Sequence, residues 1–339
     1  MFKQATVDAA SVPSTQSNFP TYIDLSRLGI TTLAEAQSVR VYADEAKTTE
    51  WAREIVSLTE MHVKVPSLTS TVTMYVDYDG IRADYAVTDT FGRNNVWSSA
   101  IYRYVNHLDG SSAANCPDST GAGNSLIQKG APVYQAAGKF DRGYTGDGND
   151  SVPRGFEIAN NATLSGTTIS FSCWVYFVGH TAGNRFAGLA SRTNAAGSLG
   201  YTFFRGNAAF SAKMIARINA TTYTSSHAVS QDAWHHLVFT HTSNQTKYYI
   251  NGVLMQTQTT ETISTSADRT ALGLSAWGFN DTINGTMEEA RLGYTVLSDN
   301  WITTEHNNQN AESTFWGTWT TVSGGSPAHA ARRGAVMMM

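Results

Sequence analysis

Two neighbouring stretches decide the fold class: Trp234-His235-His236-Leu237-Val238-Phe239-Thr240 and Tyr248-Tyr249-Ile250-Asn251-Gly252-Val253-Leu254. The first is rich in aromatic and β-branched residues and reads as a strand. In the second, Asn-Gly tolerates the positive φ of a two-residue type I′ turn, so Tyr248 to Leu254 is predicted to be a tight hairpin. Further strand signals surround this pair: Ile169 to Phe177, Phe186 to Ser191, Tyr201 to Phe204, Ala209 to Ile218, Thr221 to Val229, Thr270 to Leu274 and Thr286 to Gly293. Short strands at this spacing, with polar turns between them, predict an all-β sandwich.

A smaller antiparallel unit is expected ahead of it, from signals at Thr21 to Leu25, Val39 to Ala43, Arg53 to Ser57, Met61 to Val65 and Thr71 to Tyr78. In the last of these, Val72, Met74, Val76 and Tyr78 alternate with Thr71, Thr73, Tyr75 and Asp77, which gives one packed face and one wetter face. The irregular text from Ser111 to Gly130 is a long connection, and the domain boundary is placed before it, near Asn95. One helix is predicted at Ser298 to Asn308, capped by Ser298 and lying over a sandwich edge. Thr314 to Val322 reads as one more strand. The expected organisation is therefore 1–95, a small β module; 96–312, the main sandwich; 313–323, a strand returning to the first module; and 324–339, a tail.

The composition narrows the function. Lys plus Arg number 23 and Asp plus Glu 27, a net charge of −4 with 15% charged residues. No positive field is available to hold a nucleic-acid backbone, so no nucleic-acid partner is expected. Cys116 and Cys173 cannot form a disulfide framework and fit no metal-binding spacing. No stretch of about 18 apolar residues occurs, and no signal-peptide core follows Met1, so neither membrane insertion nor conventional secretion is expected.

Three motifs in order, Trp234 to Thr240, Tyr248 to Leu254 and Asn284-Gly285-Thr286-Met287-Glu288-Glu289-Ala290-Arg291-Leu292, resemble the concanavalin A-like jelly roll of laminin-G and pentraxin type. Ile169 to Val175 and Asp118 to Asn124 resemble that family's opening motifs, so the likeness runs from Val96 to Gln309. It implies a jelly roll in which Trp234 packs into the sandwich. The first ninety-odd residues resemble the domain of unknown function 2341, which precedes such jelly rolls in bacterial, archaeal and phage proteins. The matching text includes Phe19 to Ser26, Met61 to Leu68 and Asp84 to Asn94. That resemblance implies architecture and no chemistry.

Some jelly rolls of this shape are glycosidases, which need paired carboxylates flanking one bond. The family's Glu-x-Asp-x-x-Glu pattern is absent here. The adjacent Glu288 and Glu289 are expected on opposite strand faces, as are His235 and His236. No catalytic residue is assigned. Asp147-Gly148-Asn149-Asp150-Ser151 puts oxygen donors on a Gly-rich turn that suits calcium. It is not an EF-hand, because Val152 and Ile158 stand where Gly and Glu would be needed. The family resemblance implies a metal set of Asp147, Asn149, Asp150 and Glu288. For a ligand, Trp277, Phe279 and Asn280 offer rings and an amide to a sugar, against the alternative that Trp277 closes the sandwich rim.

These readings predict a non-catalytic structural and surface-binding protein. The expected setting is a phage virion surface, as capsid decoration, tail or fibre, with virion proteins or its own copies as partners and cell-surface glycans as ligands. The alternatives are a cellular adhesin or sugar-binding protein, and a divergent glycoside hydrolase or lyase. Met1 to Phe19 and Gly324 to Met339 show no periodicity and read as frayed ends, with Arg332, Arg333 and the terminal methionines available to dock on a neighbouring subunit.

Overall fold

The computed structural model describes residues 1–149, 151–159, 164–179, 186–207, 210–265, 267 and 269–323. The N-terminal module contains β1 (Phe2–Thr6), β2 (Gln16–Asp24), β3 (Arg40–Tyr42), β4 (Glu50–Trp51), β5 (Arg53–Ile55), β6 (Glu60–Leu68), β7 (Thr73–Asp77) and the short helix α1 (Leu33–Ser38). Its strands form two antiparallel sheets. One has the order β2-β6-β5; the other runs β1-β7-β3-β4 and is extended beyond β1 by β23 (Thr320–Thr321) from the far end of the chain. Met74, Val76 and Tyr78 are buried, as alternation requires, together with Met61, Val63 and Val65 of β6.

Both ends of this module depart from the sequence reading. Met1 to Phe19 is not a frayed leader, because β1 sits between β7 and β23 with Phe2, Ala5 and Val7 buried. Pairing on both edges satisfies its backbone where local pattern is weak. Thr314 to Val322 is not one strand: Glu312–Phe315 is a helical turn, α3, and only two residues pair with β1. The aromatic richness there reflects burial, since Phe315, Trp316 and Trp319 enter the N-terminal core. Gly324 to Met339, with the expected docking tail, lies outside the described residues.

The jelly roll contains β8 (Tyr102–Asn106), β9 (Leu126–Lys129), β10 (Val133–Ala137), β11 (Arg142–Asp147), β12 (Gly155–Ile158), β13 (Ile169–Phe177), β14 (Phe186–Thr193) and β15 (Gly200–Gly206). It continues with β16 (Lys213–Ile218), β17 (Thr221–Ala228), β18 (Trp234–Thr242), β19 (Gln245–Ile250), β20 (Val253–Thr259), β21 (Arg269–Leu272) and β22 (Asn284–Gly293). One sheet runs β10-β11-β22-β13-β18-β19-β20, with β8 also on β22; the other runs β17-β16-β15-β14-β21-β12-β9. Phe171, Phe203, Leu237, Phe239 and Tyr248 fill the space between them. Between β19 and β20 both turn residues have positive φ, 51° at Asn251 and 78° at Gly252, as the type I′ reading requires.

Along β18, Leu237 and Phe239 point into this core, so alternation sends Trp234 and His236 to the outer face. Trp234 is therefore not packed inside the sandwich; it is half-buried on the outside, 5.8 Å from the Tyr176 ring. Helix α2 (Asp299–Asn310) is capped by Ser298, whose hydroxyl accepts from the Trp301 amide at 3.1 Å. It lies on the outer face of the larger sheet rather than at an edge. Trp174 Nε1 on β13 donates to Gln309 Oε1 at 2.6 Å, and the Trp301 ring is 4.8 Å from Phe19 of β2. The N-terminal module closes over the same face, and one hydrophobic cluster includes Ile23 and Val63 of the module with Val238, Tyr249 and Ile302 of the jelly roll. No helix of the described residues is long and apolar enough to cross a membrane.

Candidate functional site

Strand β22 changes partner halfway along. Asn284 to Met287 pair with β11, and Ala290 to Gly293 pair with β8 on the same side. Opposite the gap, the ladder to β13 slips between Ser172 and Trp174, and Glu289 takes a positive φ of 53°. This is a bulge, and one extra residue on a strand re-aims the side chains beside it. Met287 and Ala290 face the jelly-roll core, while Glu288, Glu289 and Arg291 all reach the outer face. The expected opposition of Glu288 and Glu289 therefore does not hold. Both are buried, Glu288 at 1% and Glu289 at 2% exposed.

Glu288 is seated on a hairpin. Its carboxyl accepts from the backbone amides of Lys139 and Phe140, the latter at 3.2 Å. Gly138 and Gly143 make the space: a Cβ on Gly138 would meet Glu288 Oε1 at 1.6 Å, and one on Gly143 would meet its Cγ at 2.7 Å. Burial pushes the Glu288 pKa up to about 8, against the pull of those two amides.

Glu289 lies in a polar cluster drawn from four separate parts of the chain. Glu60 and His62 come from one face of β6, Glu54 from β5, His107 from just after β8, and Glu305 from α2. His62 Nε2 is 2.9 Å from Glu60 Oε1 and 3.5 Å from Glu289 Oε2. His107 Nδ1 hydrogen-bonds Glu289 Oε1 and lies 3.7 Å from Glu60 Oε1. The two imidazoles stack with centroids 4.9 Å apart. Behind His107, Nε2 is 3.2 Å from Glu54 Oε2, and Glu54 is fixed by Trp97 Nε1 and Ser119 Oγ, each donating at 2.6 Å. Arg291 bridges Glu289 and Glu305, donating to Glu305 Oε1 at 2.7 Å, with its guanidinium 4.8 Å above the Trp97 ring.

Burial and neighbouring charges together set the protonation of this cluster. Burial raises the Glu60 carboxyl well above the usual range, with the neighbouring Glu289 adding to the effect, and it drops His62 well below the usual imidazole range. Burial also works against charge on His107 and Glu289. There it is outweighed: Glu289 and Glu54 hold His107 protonated, while His107 and Arg291 hold Glu289 ionised. A cleft of about 180 Å³ lined by Glu54, Arg93, His107 and Asp109 opens beside the cluster on its Glu54 side. It adjoins a wider cleft of about 650 Å³ on the loop containing Asp118 and Asn124. Nothing in the sequence reading singled out Glu60, His62 or His107. The one local signal was Glu60-Met61-His62, where strand alternation puts a carboxylate and an imidazole on one face.

Among the described residues expected to hold calcium, Asp147 and Glu288 are not brought together. Asp147 pairs with Asn284, four positions along β22 from Glu288, a separation of about 13 Å at the usual strand rise. The Asp147 carboxylate is engaged by Arg154 Nε at 3.2 Å and by the Asn149 amide at 3.2 Å, and Asn149 Oδ1 accepts from the Ser151 amide at 2.9 Å. This is a local Asx turn. Asp150 lies outside the described residues.

Trp277, Phe279 and Asn280 share a loop laid over the outer face of the smaller sheet, anchored where the Ala276 amide donates to Ser191 Oγ at 3.1 Å. Trp277 is half-buried, 5.7 Å from Phe204, with the Arg217 guanidinium 4.6 Å from its ring centre. Phe279 is also half-buried, under Lys129 Nζ at 4.2 Å. Asn280 Oδ1 accepts from Ser275 Oγ, which fixes the loop.

Two packed antiparallel sheets with this order, and a helix and a second module sealing one outer face, define a concanavalin A-like jelly roll joined to a small β-sandwich. Residues 149–303 match the laminin-G family model described as the concanavalin A-like lectin/glucanases superfamily. No curated protein sequence matches the chain. Among solved structures, domain 4 of an extracellular arabinanase from Geobacillus stearothermophilus, in complex with arabinotriose, is similar at 21% identity and a TM-score of 0.47. That match covers 61% of this chain and 98% of that one. The binding domain of botulinum neurotoxin DC, in complex with rat synaptotagmin II, is similar at 11% identity and a TM-score of 0.48, over 64% of this chain and 52% of that one. The binding domain of Paraclostridial Mosquitocidal Protein 1 gives 12% identity and a TM-score of 0.46, over 64% and 55%. The chain thus spans about half the length of these two toxin binding domains.

Proposed function

We propose that this chain is a non-catalytic surface-binding protein whose jelly roll recognises a glycan through the loop over its smaller sheet. The observation that carries the reading is the asymmetry of the sandwich. The larger sheet is sealed by the N-terminal module and α2, while the opposite face presents Trp277 and Phe279, each partly exposed and each beside a cation. Aromatic rings stack on the apolar faces of sugars, and Asn280 with the flanking Arg217 and Lys129 supplies polar contacts to hydroxyl or acidic groups. The shared core between the modules makes a rigid platform for such a face.

In its finer form the reading is a phage virion component, with the N-terminal module as the assembly side and the jelly roll outward. Support comes from the resemblance of the first module to one that precedes jelly rolls in phage and bacterial proteins. A cellular adhesin is the second reading. A glycan array tests the binding: wild-type protein should bind a defined glycan class, and Trp277→Ala should lose at least tenfold in affinity while keeping the wild-type far-UV circular dichroism of a folded protein. Binding that survives both Trp277→Ala and Phe279→Ala would place the site elsewhere. Mass spectrometry of purified particles from the source culture separates virion from cell surface.

A further inference from the structure

The geometry points to a divalent metal site of the zinc type between the two modules, with Glu60, His62, His107 and Glu289 as its ligands. Their candidate donor atoms all lie within 4.8 Å of one another. Three of the separations are 2.9, 3.5 and 3.7 Å. A tetrahedral ion with bonds of about 2.0–2.1 Å holds its donors about 3.3–3.4 Å apart, so small side-chain shifts complete the polyhedron. Two imidazoles with two carboxylates form a set that first-row divalent ions accept.

Two independent features support an ion over a purely protonic network. The first is the arrangement behind His107, where Nδ1 faces the cluster and Nε2 faces Glu54, itself held by Trp97 and Ser119. A carboxylate behind a ligating histidine orients the ring and strengthens the ligand. The second is charge. Glu54, Glu60, Glu289 and Glu305 are all at most 4% exposed, and the one guanidinium among them is Arg291. A divalent ion in place of the protons that such a buried group must otherwise hold leaves its net charge unchanged. Because Glu60 and His62 belong to the module and His107 and Glu289 to the jelly roll, the ion would fasten one to the other. The cleft lined by Glu54, Arg93, His107 and Asp109 opens beside His107, one of the four ligands.

The test uses the full chain, stripped with a chelator and titrated with zinc, and separately with cobalt as a spectroscopic probe. Elemental analysis should find about one zinc per chain after titration, the melting temperature should rise with zinc, and cobalt should give the intense visible bands of a tetrahedral N/O site. The double variant His62→Ala/His107→Ala should lose the bound metal. Glu54→Gln should keep it with an affinity lower by about 10- to 100-fold. If the double variant does not fold, the wild-type titration decides. Wild-type protein that takes up no zinc and melts identically with and without it overturns the proposal, as does a folded double variant that retains one ion per chain.

Discussion

Replacing Asn308 with alanine uncouples the modules at a single point. β2 is the edge of its sheet, so Tyr22 turns an unpaired N–H and C=O away from β6. Asn308 on α2 meets both: its Oδ1 accepts from the Tyr22 amide at 2.6 Å, and its Nδ2 donates to the Tyr22 carbonyl at 3.0 Å. The side chain imitates a neighbouring strand, and the site is dry, with Asn308 1% exposed. Asn308→Ala leaves two buried main-chain groups unsatisfied, each worth about 1–3 kcal/mol. A loss of about 3–4 kcal/mol is expected. With an unfolding entropy of about 2.1 cal/mol/K per residue, that lowers the melting temperature by roughly 5 °C. Asn308→Asp should lose at least as much, because a carboxylate cannot donate to the carbonyl and adds a buried charge. Urea unfolding followed by tryptophan fluorescence and far-UV circular dichroism reads both variants. A loss under about 1 kcal/mol would show that water replaces the amide and refute the reasoning. A wild-type transition that splits into two steps would refute the rigid coupling of the modules.

Burial lowers the His241 pKa to about 4, so the folded state keeps this ring neutral where the unfolded chain, near 6.5, already takes up a proton. The unfolded state therefore binds more protons between these values, and stability falls as pH drops from about 6.5 to 4, by up to about 3 kcal/mol. His241→Gln should flatten that part of the profile relative to wild type, and parallel curves in urea titrations at several pH values would contradict it. Gly197 has a φ of 65°, and a Cβ there would meet Trp277 at 2.9–3.0 Å. Gly197→Ala should cost about 1–3 kcal/mol and shift the near-UV signal of Trp277; an unchanged spectrum and melting temperature would count against the described packing. Glu288→Gln should change no glycan-cleaving activity, since this carboxyl is buried on the Lys139–Phe140 hairpin; hydrolysis that disappears in the variant would reverse the non-catalytic reading.

Local chemistry was enough to read the type I′ turn at Asn251-Gly252, the alternation of β7 and the Ser298 cap, because each is decided within a few residues of backbone. The all-β class follows from many such local decisions agreeing with one another. Other features exist only after distant segments meet. β1 has weak strand character of its own and is held by β7 on one edge and β23, from the other end of the chain, on the other. The bulge at Glu289 arises because β22 must pass from β11 to β8, and it reverses which face the carboxylate takes; period-two alternation cannot foresee an inserted residue. Asn308 looks like any polar helix residue until the edge of β2 is laid against it. The cluster of Glu60, His62, His107 and Glu289 joins positions far apart in the chain, and burial together with its charged partners sets its charges. The sequence by itself determined the strands from β13 to β22, the Asn251-Gly252 turn and the class of fold. Which polar side chains are buried together was decided by the tertiary structure alone, since desolvation and partner geometry are properties of the packed interface and of no single segment.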